Sequence, residues 1–97
     1  MKYILHKVHA DISDGLEAIL DKKLQKLDRF KNYITALDIY IKNLNAHNND
    51  FTKEIEIKAL VPGNVLMAQG RAATFEEAID KAISSLKKQL IKYKDTR

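Results

Sequence analysis

Cysteine and tryptophan are absent from this sequence of 97 residues, which holds one proline and three glycines. Without cysteine there is no disulfide framework and no metal site built on thiolates. No apolar run approaches the ~20 residues that a membrane-spanning helix needs, and the apolar run at the N-terminus is too short for a signal peptide. From these absences we expect a cytoplasmic protein without a membrane anchor.

The length and composition of the chain are those of one small folded domain. A hydrophobic content of 45% is enough for a modest core in a chain of this length. The formal net charge is only +4, yet the segment 81–97 holds six basic residues and a single acid, Asp95. We therefore predict one domain over residues 1–97 whose positive charge is unevenly distributed.

The pattern of the first half predicts a strand, a helix and a second strand. Residues 2–8 are typical of a strand, and Asp11 or Ser13 is suited to cap a helix that runs to about Phe30. Apolar residues then alternate with polar ones over 37–42, which indicates a half-buried second strand.

The second half is predicted to hold two more strands and a long helix. The polar stretch 43–50 is typical of a loop, and a third strand follows at 51–61. The turn at 62–64 combines Pro, Gly and Asn and leads into a short fourth strand at 65–71. The polar residues of the third strand, which we expect to face water, are Thr52, Glu54, Glu56 and Lys58.

The last helix begins at a capping box. Thr74 is a good N-cap and Glu77 stands three residues later, so a helix is predicted from about Phe75 to Tyr93. The element order is therefore β-α-β-β-β-α, and its β-α-β unit favours parallel, right-handed pairing of the first two strands. We predict an α+β fold in which a four-stranded mixed sheet carries both helices packed on one face.

Each predicted helix carries a stripe of basic residues beside its apolar face. On the first helix, Lys22, Lys26 and Arg29 fall within about 60° of one another. Lys23 points toward the apolar face, where its stem can pack while its ammonium extends to water. The second helix presents outward Lys81, Lys88 and Lys92, flanked by Lys87 and Lys94.

These stripes have two interpretations. Lysine-rich helix faces are often only solvated, and a pair such as Glu77 and Lys81 at i,i+4 supports a helix without binding anything. Here, however, acids and bases are segregated, because Glu17, Asp21 and Asp28 lie on the flank opposite the first stripe. Clustered cations attract phosphates by counterion release and hold a duplex without reading its bases. We favour a surface that binds folded RNA.

Several segments follow a pattern known from one family. They are LDKKLQKLDRF (20–30), VPGN (61–64) and TFEEAIDKAISSLKKQLIKYK (74–94). Together with the order β-α-β-β-β-α, they resemble the ribosome hibernation factors, a sigma-54 modulation protein-like family. This family includes the short hibernation-promoting factors and the ribosome-associated inhibitor A proteins. The resemblance covers essentially the whole chain.

The resemblance implies a ribosome-binding translation inhibitor and not an enzyme. Members of that family bind the small ribosomal subunit between head and body, where they overlap the paths of mRNA and tRNA and silence idle ribosomes during starvation. The implied partner is small-subunit rRNA, joined in some bacteria by a separate ribosome modulation factor. Long members add a C-terminal domain that joins two ribosomes, and we expect this chain to be the short form without that domain.

Nine basic residues are predicted to contact RNA. The resemblance implies, position by position, contacts from Lys23, Lys26, Lys88, Lys92 and Lys94. The charge pattern adds Lys22, Arg29, Lys81 and Lys87. Lys88 stands where many relatives carry arginine, and a lysine does not reproduce the bidentate phosphate geometry of a guanidinium.

Other functions are less well supported by the sequence. His6 and His9 are spaced i,i+3 on or just after a strand, so they point to opposite faces and do not suit a metal site. There is no nucleophile elbow, phosphate-binding loop or glycine-rich fingerprint, and we expect no cofactor, metal or small-molecule substrate. The alternative is a general double-stranded RNA-binding module. Such modules lack the leading strand and begin their last helix with lysines, where this chain has Glu76 and Glu77.

Overall fold

The computed structural model of the protein describes residues 1–44 and 51–96. Within these residues, four strands and two α-helices follow in the predicted order β-α-β-β-β-α. They are β1 (Ile4–Val8), α1 (Asp14–Leu24), β2 (Ala36–Asn43), β3 (Lys53–Val61), β4 (Asn64–Ala72) and α2 (Phe75–Asp95). The predicted loop at 43–50 begins with the last residue of β2, and residues 45–50 lie outside the described part of the chain.

The strands form one mixed sheet in the order β1-β2-β3-β4. β1 pairs with β2 in parallel, as expected for a β-α-β unit, and β2, β3 and β4 form an antiparallel meander. The turn between β3 and β4 is tight because Gly63 has a φ of 78°, in the left-handed region that favours glycine. The predicted α+β fold is confirmed.

The hydrophobic core lies between the sheet and the two helices. On β2 the predicted alternation is present, since Leu37, Ile39 and Ile41 are buried and their neighbours are more exposed. The core is completed by Ile55, Ile57 and Ala59 from β3, Ala68 from β4, Leu20 and Leu24 from α1, and Ile79, Ile83, Leu86 and Leu90 from α2. Both helices therefore pack on the same face of the sheet, which places their outward sides next to each other.

The α-helical part of the first helix is shorter than predicted. α1 ends at Leu24, and the chain continues as a 3₁₀ helix over Gln25–Phe30. Leu24, Leu27 and Phe30 are all buried. Because a 3₁₀ helix has three residues per turn, it keeps residues spaced by three on one side, whereas an α-helix rotates them apart. The spacing of these core residues therefore accounts for the tighter helix.

Both helices begin at a side-chain cap. Ser13, and not Asp11, caps α1, because its Oγ accepts a hydrogen bond from the backbone N of Leu16 at 3.1 Å. Thr74 caps α2 as predicted, and its Oγ1 accepts a hydrogen bond from the backbone N of Glu77 at 3.3 Å. Each cap satisfies one of the backbone N–H groups that a helix leaves unpaired at its start.

Replacement of Thr74 by alanine is expected to lower the free energy of unfolding by about 1 kcal/mol, because the first turn of α2 loses its side-chain acceptor. Thr74→Ser keeps a hydroxyl and is the matched control, expected to remain close to the wild type. Urea unfolding followed by circular dichroism measures all three proteins. Equal stability of the alanine variant and the wild type would contradict the capping role.

One residue predicted to face water is buried. Glu54 lies on the sheet face opposite the helices, yet only 2% of its surface is exposed. The strand register places it between Lys42 on β2 and Arg71 on β4. Its carboxylate accepts hydrogen bonds from Arg71 Nε at 2.9 Å and from Gln69 Nε2, and Lys42 Nζ lies 3.6 Å away. Long side chains from the neighbouring strands therefore cover a carboxylate that simple alternation assigns to water.

Candidate nucleic-acid interface

α1 and α2 lie side by side on the sheet, and two adjoining depressions run between the helical segments. The first is lined by Ile19, Lys22, Lys23, Gln25, Lys26 and Glu76. The second is lined by Lys26, Asp80, Ile83, Ser84 and Lys87. We call these residues the interhelical groove. It brings together four of the predicted RNA-binding lysines. Lys22, Lys23 and Lys26 come from the first helical segment, which is α1 with its 3₁₀ continuation, and Lys87 comes from α2.

Lys23 is held in the groove by acids of α2. Its Nζ donates a hydrogen bond to Asp80 Oδ1 at 2.6 Å and lies 3.9 Å from Glu76 Oε1. Only 19% of the Lys23 side chain is exposed. The sequence predicted that this side chain turns inward and extends its ammonium to water, but the ammonium extends to the carboxylates of α2. The pair was missed because its members are 57 residues apart, and the only local signal was an acid within a lysine-rich helix.

Some of the basic residues of α2 lie along the edge of β4. Lys81 Nζ donates a hydrogen bond to the carbonyl oxygen of Arg71 at 2.9 Å and lies 4.9 Å from the centre of the Phe51 ring. Lys88 and Lys92 follow seven and eleven residues later, so they project within about 20° of Lys81 around the helix. These three lysines form an outer row on the flank of α2 that faces away from α1.

The opposite flank of α2 carries the remaining predicted lysines. Lys87 is partly buried and lines the groove. Lys94 is exposed and follows seven residues later, so it projects on the same side of the helix. The cations of α2 therefore fall into the outer row and a groove-side row, where the sequence predicted a single outward stripe with flanking lysines.

The first helical segment, α1 with its 3₁₀ continuation, exposes Lys22, Lys26 and Arg29, of which the first two line the groove. The guanidinium carbon of Arg29 lies 4.6 Å from the centre of the Phe30 ring, a cation–π contact that keeps the charge near the surface. Lys26 lines both depressions, so it stands at the centre of the groove.

The acids of α1 lie on its other flank, as predicted. The Tyr3 hydroxyl donates a hydrogen bond to Asp21 Oδ1 at 2.6 Å. Burial of the phenol and the adjacent Asp21 carboxylate raise the pKa of Tyr3 far above its usual range, so the hydroxyl remains a donor. This contact holds a carboxylate on the β1 side of α1, away from the groove.

The open face of the sheet is less suited to nucleic acid than the helical face. His6 and Tyr40 stack with their ring centres 4.3 Å apart, so one face of the Tyr40 ring is covered. His6 Nε2 lies 2.9 Å from Asp38 Oδ1, and Lys42 Nζ lies 3.5 Å from Glu56 Oε1. On this face cations such as Lys42 are paired with carboxylates, whereas four lysines outnumber two acids in the groove.

Among the described residues, no group of three or more histidine, aspartate or glutamate side chains is placed to hold a metal ion. In the same part of the chain, neither helix is apolar over enough of its length to cross a bilayer. The fold and the groove define a small two-layer α+β domain that gathers lysines between two helices on one face of its sheet.

The chain belongs to the family described as Sigma 54 modulation protein / S30EA ribosomal protein, whose family model matches residues 3–97. The resemblance found in the sequence is thereby confirmed. A ribosome hibernation promotion factor from Deinococcus radiodurans is 29% identical over 92 residues, a match that covers 95% of this chain and 48% of that protein. The chain thus spans about half the length of this relative. Membership of the family supports a ribosome-associated function.

Solved structures share the fold over nearly the whole chain. A ribosomal subunit interface protein from Coxiella burnetii superposes with a TM-score of 0.83 at 25% identity, covering 98% of this chain and 99% of that one. The N-terminal domain of Protein Y from Thermus thermophilus superposes with a TM-score of 0.75 at 23% identity, covering 95% of this chain and 99% of that one. The second comparison supports the fold alone.

Proposed function

We propose that this protein is a ribosome hibernation factor that binds the small ribosomal subunit in the mRNA and tRNA channel and inhibits translation by idle ribosomes. Family membership supports the association with ribosomes. The observation that carries the proposal to rRNA is the interhelical groove, whose lysines come from both helical segments. A groove with cations on two walls is suited to a phosphate backbone lying along it.

The groove supplies what phosphate binding requires. Lys22 and Lys26 on one wall and Lys87 on the other neutralise phosphates and release their counterions. Ser84 of α2 is exposed and lines the same depression as Lys26 and Lys87, so its hydroxyl offers a hydrogen-bond donor to a phosphate oxygen. Such contacts fix the position of folded RNA without reading its sequence, which suits the recognition of one shape in the ribosome.

On this proposal, the protein inhibits translation by steric exclusion of mRNA and tRNA. A domain with extents of 43 × 27 × 18 Å occupies space that mRNA and tRNA need, and no reacting group is required. The protein then acts in the cytoplasm, where ribosomes are, and its effect is largest when cells are starved and ribosomes are idle.

Co-sedimentation with small ribosomal subunits at two salt concentrations tests the proposal. If the three lysines Lys22, Lys26 and Lys87 neutralise phosphates, affinity should fall about 20- to 40-fold between about 50 mM and 200 mM monovalent salt, because counterion release makes binding salt-dependent. Binding that is absent, or that does not change with salt, contradicts the proposal.

A competition experiment separates this proposal from a general double-stranded RNA-binding module. Unrelated RNA duplex added in excess over the subunits should leave binding to small subunits largely intact. Displacement of the protein at duplex concentrations comparable to those of the subunits favours the general module, because such a module recognises any A-form helix. A translation assay with the same samples then checks whether bound protein inhibits synthesis.

A further inference from the structure

We propose that Lys23 positions the RNA-binding lysines and does not bind phosphate itself. Its ion pair with Asp80 ties α1 to α2 across the interhelical groove. The pair sets the spacing between Lys26 on one wall and Lys87 on the other. This inference rests on the proposed function, since it concerns how the groove binds small-subunit rRNA. It departs from the direct rRNA contact that the family resemblance implied for Lys23.

The geometry of the pair favours this role. Lys23 Nζ and Asp80 Oδ1 are 2.6 Å apart, and the two side chains are 19% and 46% exposed. A partly shielded pair is screened by salt less than a fully exposed one. Glu76, about one turn earlier on α2, lies 3.9 Å from the same ammonium. Lys23 therefore reaches from α1 to two carboxylates on one flank of α2, which is the contact expected of a link between the helices.

The ion pair between Lys23 and Asp80 lies close enough to Lys26 and Lys87 to fix the distance between the two walls of the groove. Lys26 follows Lys23 by about one turn, and Lys87 follows Asp80 by about two turns. Lys26, Asp80 and Lys87 line the same depression. A lysine ammonium stands on a flexible four-carbon stem, so its reach toward a phosphate depends on where the helix backbone is held. A fixed spacing between α1 and α2 lowers the cost of ordering these side chains when RNA binds.

A direct phosphate contact by Lys23 would carry an electrostatic cost. The phosphate would have to draw the ammonium away from Asp80, and two carboxylates would then face the RNA backbone in a partly buried groove. Like charges at short distance repel more strongly there than in bulk water. With the pair intact, Asp80 is neutralised, and the surplus positive charge of the groove comes from Lys22, Lys26 and Lys87.

The test is a double-mutant cycle on small-subunit binding with Asp80→Asn, Lys23→Met and the combined variant. If Lys23 positions the RNA-binding lysines, Asp80→Asn weakens binding about three- to fivefold, although this substitution makes the protein more positive. Lys23→Met also weakens binding but leaves the salt dependence unchanged, and the combined variant binds no worse than Lys23→Met. The inference is overturned if Asp80→Asn binds more tightly than the wild type and the salt slope of Lys23→Met is about 0.7 to 0.9 smaller. That result identifies Lys23 as a phosphate contact.

Two further variants control the cycle. Asp28→Asn makes the same substitution on an exposed acid of the 3₁₀ helix, which lines a different depression with Met1 and Asp21. Its binding should stay within about twofold of the wild type or tighten, since only the overall charge changes. Lys23→Arg keeps a cation that can pair with Asp80 and should retain wild-type binding.

Urea unfolding of the same proteins separates a failure of this inference from a failure of the proposed function. The pair should show coupling equal to a two- to fivefold change in the unfolding equilibrium constant, about the upper range for partly exposed ion pairs, whether or not ribosomes are bound. No coupling overturns the positioning role even where wild-type binding is strong and salt-dependent. Coupling without any small-subunit binding overturns the proposed function, and with it the role of Lys23 in RNA binding.

Discussion

Gly70→Ala is expected to lower the free energy of unfolding by about 3 kcal/mol, near the upper end for overpacking in a core. Gly70 lies on β4 where α2 crosses it, and an added Cβ would stand 2.3 Å from the carbonyl oxygen of Ala78 and 2.7 Å from the backbone N of Ala82. Both are backbone atoms of the helix, which cannot turn aside as a side chain can. α2 would have to move off the sheet and take the Lys87 wall of the groove with it.

Gly15→Ala is the matched control for this prediction. The nearest atom to a Cβ added at Gly15 is Ser13 Oγ at 3.9 Å, an ordinary contact. Alanine is also favoured over glycine inside a helix, so this variant should gain up to about 1 kcal/mol. Urea unfolding compares the two variants. Wild-type stability of Gly70→Ala would show that α2 does not pack on β4 as closely as the structure indicates.

Reversing two groove charges, Lys26→Glu with Lys87→Glu, is expected to weaken small-subunit binding on the order of 100-fold. The change removes one phosphate contact from each wall and places a carboxylate there, so attraction becomes repulsion inside a concave site. Filter binding or co-sedimentation at fixed salt measures the effect. Circular dichroism checks that the helices persist, as expected for Lys26, which is exposed, and Lys87, which is partly buried.

The matched control reverses the same number of charges in the outer row with Lys88→Glu and Lys92→Glu. Both residues are exposed, so folding should survive, and binding should fall by about tenfold because these lysines extend the basic surface outside the groove. Equal losses for the two double variants would mean that affinity follows net charge alone. A larger loss from the outer row would move the RNA-binding face to the β4 side of α2.

The elements of the fold could be predicted because each depends on neighbours close in the chain. Alternation on β2 assigned Leu37, Ile39 and Ile41 to the core, and Thr74, a good N-cap residue, indicated the start of α2. Gly63 supplied the positive φ that the turn after β3 needs. The parallel pairing of β1 and β2 followed from the general handedness of β-α-β units.

The candidate site could be predicted only in part. Helix periodicity predicted that Lys22, Lys26 and Arg29 share an exposed side, and all three are exposed. Lys22 and Lys26 line the groove, whereas Arg29 is not among its lining residues. The division of the α2 lysines into two rows was not predicted, because periodicity describes a helix by itself and says nothing of which flank meets α1 and which meets β4. The burial of Glu54 was missed for the same reason, since its partners come from neighbouring strands.

The sequence by itself determined the element order, the apolar faces, the Thr74 cap, the turn at Gly63 and the concentration of positive charge on two helices, because short-range geometry and composition govern these features. Tertiary structure alone decided that Lys23 pairs with Asp80 and that Gly70 lies against the backbone of α2. These contacts join residues that are distant in the chain, and their existence depends on how the helices and the sheet pack, which no local pattern encodes.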